Sequence, residues 1–120
     1  MRNSWVIIVA LLVTGSQLAA APADVVQVVA TRAGDGSYSF DVTVASDETG
    51  WDKYADRWQV LALDGTVLGT RELAHPHVEE QPFTRSLSGV VVPPGIREVR
   101  VRAHDSVEGW GGAEVTVNLP

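Results

Sequence analysis

Hydrophobic and polar residues alternate along much of this chain with the period of two that is typical of β-strands. The alternation is regular in residues 38–44, 98–103 and 114–119, so each of these segments has one apolar and one polar face. Four further segments are strand-like but less regular: Val25–Thr31, Trp58–Leu63, Thr66–Leu73 and Thr84–Val92. Because no window of eleven or more residues keeps a helical period with caps, the pattern predicts seven strands and at most a single helical turn within a loop.

The connections between these strands are of two kinds. Three are tight turns, at Ala33–Gly36, Asp64–Gly65 and Pro93–Gly95, and three are long, at Ser46–Asp56, Ala74–Phe83 and His104–Gly112. Because successive antiparallel strands reverse direction, the three long loops are expected at one end and the tight turns at the other. This predicts an all-β, seven-stranded antiparallel immunoglobulin/fibronectin III-like β-sandwich, with Trp58 in its core. An eight-stranded lipocalin-like or jelly-roll barrel is the alternative.

Residues 1–23 have the features of a cleaved N-terminal signal helix, which leaves residues 24–120 as a single β-sandwich domain. Arg2 supplies a positive charge, Val6–Val13 is apolar but too short to span a bilayer, and Ala19–Ala23 is rich in small residues. Cleavage after Ala23 is predicted, with cleavage after Ala20 as the alternative. We therefore expect a periplasmic or secreted protein whose mature chain does not insert into the membrane.

Composition excludes several classes of function. The chain has 120 residues, a formal net charge of −6 and no cysteine. An acidic chain without a basic run is not expected to bind nucleic acid. The lack of cysteine argues against a lipidated residue, disulfides, a thiol enzyme and a thiolate metal site.

The predicted loop end concentrates the residues that carry chemistry, and the tight-turn end has almost no equivalent. Loops on a rigid sandwich are where binding residues usually lie. Eight of the fifteen acidic residues are there, with all three histidines and four aromatic residues: Asp47, Glu48, Asp52, Asp56, Glu79, Glu80, Asp105, Glu108; His75, His77, His104; Trp51, Tyr54, Phe83, Trp110.

The favoured hypothesis is a non-catalytic binding module that contacts a protein, peptide or glycan through these loops. Three rings, those of Trp51, Tyr54 and Trp110, would form an exposed platform. The polar anchors would be Asp52, Asp56 and Gln81. The alternative for the rings is that they fold inward and cover the open end of the sandwich.

Metal binding is the alternative function. His75 and His77 are separated by one proline, which favours an extended segment, and His104 would supply a third nitrogen. With Glu79, Asp105 or Glu108 as oxygen donors, this set suits Zn or Cu(II). Calcium is a weaker possibility, because the acids of the first long loop match no EF-hand spacing; these acids are Asp47, Glu48, Asp52 and Asp56.

A third possibility is a purely structural domain whose loop residues bond only to one another, with Asp56 accepting from loop amides and Arg85 pairing with a buried acid.

An enzyme is not expected. Ser46, the serine nearest the loop end, lies in no nucleophile elbow, and two carboxylates chosen freely from eight do not define an acid–base pair.

Several segments in combination resemble a family of small exported bacterial proteins of uncharacterised function. They are Gly50–Asp56 followed by Trp58, Leu63–Arg71, His75–His77 with Glu80–Gly89, and Asp105–Ser106 with Gly109–Gly112. The resemblance implies export, a single domain and a Gram-negative periplasm. It transfers no catalytic residue, cofactor or partner to this sequence.

Overall fold

The structure, a computed structural model, describes residues 21–120. Of the predicted signal helix, residues 1–23, the first twenty residues lie outside the described part, and only residues 21–23 belong to it. Seven strands follow one another: β1 (Asp24–Arg32), β2 (Tyr38–Ala45), β3 (Ala55–Ala62), β4 (Val67–Glu72), β5 (Phe83–Val90), β6 (Glu98–Asp105) and β7 (Val115–Asn118). No helix in residues 21–120 is long and apolar enough to cross a membrane.

The strands form two antiparallel sheets. The first has the order β1-β2-β5 and the second the order β4-β3-β6-β7. The all-β prediction with seven antiparallel strands is therefore confirmed. The eight-stranded barrel alternative is not observed, since the described chain contains seven strands in two separate sheets.

The core lies between the two sheets and is formed by the apolar faces that the alternation predicted. In β2, Phe40, Val42 and Val44 are fully buried, whereas the intervening Asp41 is exposed. Trp58 of β3 is also fully buried, which confirms its predicted place in the core. Burial of such side chains between the sheets, from every strand except β4, is what holds the sheets together in a protein without disulfides.

Strand β3 begins at Ala55, three residues before the predicted start. Ala55 pairs with Asp105 and Arg57 with His104, so the neighbouring strand β6 extends the ladder into a segment whose sequence is polar. The same pairing carries β6 two residues beyond Ala103, to Asp105. This extension places Asp56, Arg57 and His104 within the second sheet rather than in loops.

One side of the sandwich is closed by the start of β1. The Val25 amide donates to the Ala113 carbonyl at 2.9 Å, and the Ala113 amide donates to Asp24 Oδ1 at 2.7 Å. Gly112 approaches the same segment so closely that a Cβ there would lie 1.9 Å from the Ala23 carbonyl oxygen. Ala23 is fully buried, so cleavage after Ala23 would remove a packed residue, whereas cleavage after Ala20 would leave it in place.

Candidate functional site

A tight turn in the β2–β3 loop presents Trp51 to solvent. The Lys53 amide donates to the Gly50 carbonyl at 3.1 Å, and the Thr49 amide donates to the Lys53 carbonyl at 3.0 Å. Gly50 has φ of 136°, a left-handed conformation that favours glycine. Trp51 at the tip is 67% exposed, and its ring meets the Tyr54 ring edge to face with centroids 5.5 Å apart.

The buried carboxylate of Glu48 joins this loop to the β4–β5 loop. It accepts hydrogen bonds from the Ala55 amide at 3.1 Å, from the His77 amide at 2.6 Å and from the Ser46 hydroxyl. Backbone amides that would otherwise lack partners are satisfied in this way by one ionised side chain. Glu48 is therefore a structural brace, a role that its place in an acidic loop did not reveal.

A second buried acid, Asp105, joins the β2–β3 loop to the β6–β7 loop. Its Oδ2 lies 2.6 Å from Lys53 Nζ, which also donates to the Ala21 carbonyl at 2.9 Å. Asp105 Oδ1 accepts from the amides of Val107 and Glu108. Burial raises the pKa of Asp105, but the Lys53 hydrogen bond and the two amides outweigh it and hold the pKa below its usual value.

The turn that carries Trp51 and the β4–β5 loop enclose an open groove, which we call the loop-end groove. Its volume is about 520 Å³. Its walls are residues from both loops: Gly50, Trp51, His75, Pro76, His77, Val78, Glu79 and Glu80. The groove combines one highly exposed indole, apolar side chains and carboxylates.

A stack of rings supports the floor of this groove. The His77 ring lies parallel to the buried Phe83 ring with centroids 4.1 Å apart, and the His75 ring lies 4.7 Å from that of His77. Burial, followed by the nearby Arg85 charge, lowers the pKa of His77, so the ring is neutral at neutral pH. His77 Nδ1 is buried without a hydrogen-bond partner in the described chain.

Trp110 occupies a different surface, on the outer face of the second sheet. The Arg102 guanidinium carbon lies 3.9 Å from the Trp110 ring centroid and that of Arg57 lies 5.3 Å away, while His104 meets the ring edge to face. His104 Nδ1 in turn contacts Asp56 Oδ1 at 2.7 Å. Trp110 is thus half-buried among strand residues and neither joins Trp51 nor covers the end of the core.

The structure therefore divides the predicted binding residues between two places. Trp51, Asp52 and Tyr54 lie together in or beside the turn, whereas Asp56 and Trp110 belong to the outer sheet face. Gln81 is a further brace, since its Oε1 accepts from the Ser46 amide and its Nε2 donates to the His77 carbonyl.

The predicted metal ligands are likewise separated. His75, His77 and Glu79 line the groove, but His104 is bonded to Asp56 and Asp105 to Lys53. Residues 21–120 contain no group of three or more His, Cys, Asp or Glu side chains arranged to hold a metal ion. The four acids of the β2–β3 loop accordingly do not form a calcium cage there.

The tight-turn end also has a concave surface, although the sequence pointed to almost nothing there. An open hollow of about 660 Å³ lies between the β3–β4 turn and the β5–β6 turn. Half-exposed Leu63 and the partly buried Ile96 form its apolar lining, with Asp64, Arg97 and Glu98 around it. The signal in the sequence was an apolar residue next to each of these two turns, and it carries no information on a ligand.

Comparisons with known proteins give one informative relative. The chain is 45% identical over 103 residues to a protein of Halomicrobium mukohataei named "Putative lipoprotein". The match covers 86% of this chain and 50% of the relative, so the chain spans about half the length of that protein. No family model matches the sequence, and no solved structure matches it.

Proposed function

We propose that this chain is a non-catalytic, exported binding module that contacts a protein, peptide or glycan through the loop-end groove. The observation that carries the proposal is the exposure of Trp51, a residue that is 67% exposed at the tip of a turn. Backbone hydrogen bonds already close the turn that carries this large ring. A ligand that covers the ring therefore needs to order little additional backbone.

The support beneath Trp51 strengthens this proposal. Glu48 ties the turn-bearing loop to the β4–β5 loop, and Asp105 ties it through Lys53 to the β6–β7 loop. Both braces are buried; Glu48 joins the two walls of the groove to each other, and Asp105 joins the Trp51 wall to the neighbouring β6–β7 loop. A binding surface held in this way needs little reorganisation on binding.

The architecture that we propose is immunoglobulin-like, of the fibronectin type III arrangement. The strand order in three- and four-stranded sheets supports it, as does the placement of the three long loops at one end. In such sandwiches the loops at one end provide variable contact surfaces on a constant frame.

We also propose that the protein works in the cell envelope or outside the cell. The name of the Halomicrobium mukohataei relative describes a lipoprotein, which is an envelope location for that protein. The apolar stretch Val6–Val13 with Arg2 before it supports export of this chain.

Peptide and glycan arrays test the binding proposal. The purified protein, Trp51→Ala and Leu63→Ala would be applied to the same arrays. Leu63→Ala is the matched control, because it removes a half-exposed apolar side chain at the tight-turn end. Ligands retained by the wild type and by Leu63→Ala but lost by Trp51→Ala support the proposal. A complete absence of ligands, or ligands indifferent to Trp51, would favour a purely structural domain whose loops satisfy one another.

A second candidate function is divalent transition-metal binding, Zn or Cu(II), by His75 and His77 alone. His75 Nδ1 lies 3.0 Å from the Pro76 carbonyl oxygen, a contact that would leave Nε2 as the nitrogen for a metal ion. The neutral ring of His77 lies beside it, and neutral imidazoles bind metal without first losing a proton. Solvent or a ligand would complete the coordination.

Calorimetric titration with Zn(II), Cu(II) and Ca(II) separates this candidate from the first. His75→Asn and His104→Asn form a matched pair, because His104 lies on the outer sheet face. Stoichiometric Zn or Cu(II) binding that is lost in His75→Asn and kept in His104→Asn supports a metal site. Binding weaker than the millimolar range, or equal in both variants, excludes it.

A further inference from the structure

The charges and rings of the loop-end groove indicate the chemistry of its ligand. We infer that the groove binds an extended basic peptide segment of a partner protein, with an arginine or lysine side chain over Trp51. This inference rests on the binding function proposed above and specifies its ligand class.

The first argument concerns which aromatic rings already have a cation. In residues 21–120, arginine guanidinium groups lie over the rings of Tyr38, Phe83 and Trp110. None lies over Trp51 or Tyr54 in that part of the chain. Tryptophan is the ring that attracts cations most strongly, so the most exposed indole of the described chain is also one without its preferred partner.

The second argument concerns the charges around the ring. Lys53, in the same turn as Trp51, points inward and is neutralised by Asp105. Asp52, the next residue in the chain after Trp51, is exposed, and Glu79 lies on the β4–β5 wall of the groove; neither forms an ion pair with any described residue. Glu80 is different, since Arg85 lies 3.0 Å from its Oε1. The turn and the groove wall therefore each carry one carboxylate without an ion-pair partner among the described residues, Asp52 and Glu79, in a chain whose formal net charge is already −6.

The third argument separates a peptide from a small cation. The groove has a volume of about 520 Å³ and is lined both by Trp51 of the turn and by His75 to Glu80 of the β4–β5 loop. A single ammonium ion would cover the indole alone. A peptide in the groove could place a cation at Trp51, apolar atoms against Val78 and a second cation near Glu79, and all three residues line the groove.

Calorimetry with two synthetic peptides, hexa-arginine and hexa-glutamine, tests the inference. We expect saturable binding of hexa-arginine that weakens as salt screens the charges, and no binding of hexa-glutamine. Trp51→Ala should weaken hexa-arginine binding about tenfold or more, as expected for a central aromatic contact. Glu79→Gln should weaken it a few-fold. Glu98→Gln, which removes an exposed acid at the tight-turn end, should leave it unchanged.

Two results would overturn the inference. One is the absence of hexa-arginine binding at low salt. The other is an equal loss in Glu79→Gln and Glu98→Gln with no effect of Trp51→Ala, which would show attraction to the net charge of the protein alone. A neutral peptide or oligosaccharide bound in a Trp51-dependent way, without hexa-arginine binding, would remove this ligand class and leave the binding function in place.

Discussion

Lys53 Nζ and Asp105 Oδ2 lie 2.6 Å apart, and both side chains are almost completely shielded from solvent. The pair joins the loop that carries Trp51 to the loop after β6. Since Lys53 turns inward, its neighbours Trp51 and Asp52 are left at the exposed tip of the turn. The one cation in this turn is thereby used for stability, and the surface that remains is aromatic and acidic.

Removing one partner of this pair should be strongly destabilising. Asp105→Asn leaves the buried ammonium without its countercharge, and we expect a loss of about 3 to 5 kcal/mol in the free energy of unfolding. Urea unfolding would measure the loss. Glu80→Gln, which breaks the exposed ion pair with Arg85, is the control and should leave the urea midpoint nearly unchanged. Comparable midpoints for the two variants would show that the buried pair is not a brace.

Glu48→Ala should loosen one side of the loop end selectively. The amides of Ala55 and His77 lose their acceptor, so their hydrogen exchange should accelerate by about tenfold or more, as expected for hydrogen bonds to a charged group. The amides of Val107 and Glu108, which donate to Asp105, provide the internal control and should keep their protection. Uniform acceleration at all four amides would indicate global destabilisation instead.

His77 should make folding stability depend on pH in mildly acidic solution. Its pKa is lowered in the folded state, first by burial and then by Arg85. As the pH falls below the unfolded value of 6.5, the unfolded chain takes up a proton that the folded chain does not. The contribution of His77 to the free energy of unfolding is therefore fully present above pH 6.5. It decreases as the pH falls from 6.5 to the lower pKa of the folded state.

The variant His77→Phe keeps a ring on Phe83 and removes the titration. Urea unfolding at a series of pH values from 7.5 downward should show a shallower loss of stability for His77→Phe than for the wild type. Two parallel stability curves would be inconsistent with a neutral, buried His77.

Gly112 should not tolerate a side chain. An added Cβ would lie 1.9 Å from the Ala23 carbonyl oxygen, so Gly112→Ala must displace either β1 or the β6–β7 loop. We expect a destabilisation of about 1 to 3 kcal/mol, as for other overpacked sites. Gly34→Ala is the matched control, since nothing lies within 4 Å of its Cβ position. Equal melting temperatures for the two variants would show that Ala23 does not pack there.

Strands β2, β6 and β7 could be predicted because each one encodes its own buried face. The alternation of Phe40, Val42 and Val44 with polar residues is a local property that survives in the fold. The start of β3 could not be read in this way. Ala55 and Arg57 are held in the sheet by pairing with β6, and a polar segment carries no local mark of a partner that lies about fifty residues away.

The place of the candidate site was predicted from topology, but its composition was not. Reversal of direction at each turn brings the long loops together whatever their sequences. Which rings share a groove depends on Glu48 and Asp105, and in the sequence these two buried braces look like the exposed acids around them. Trp110 was grouped with Trp51 for the same reason, since its contacts with Arg57 and Arg102 arise only once β3 and β6 are paired.

The indole N–H signals of ¹⁵N-labelled protein give the most direct test of the central claim that the surface around Trp51 is the binding surface. Residues 21–120 contain three tryptophans, which report separately on the groove (Trp51), the core (Trp58) and the outer sheet face (Trp110). The protein would be titrated with hexa-arginine and, in parallel, with a neutral oligosaccharide. The account predicts that at least one of these ligands shifts the Trp51 signal in a saturable way and leaves those of Trp58 and Trp110 in place. A Trp51 signal that neither ligand moves, or shifts centred on Trp110, would contradict it.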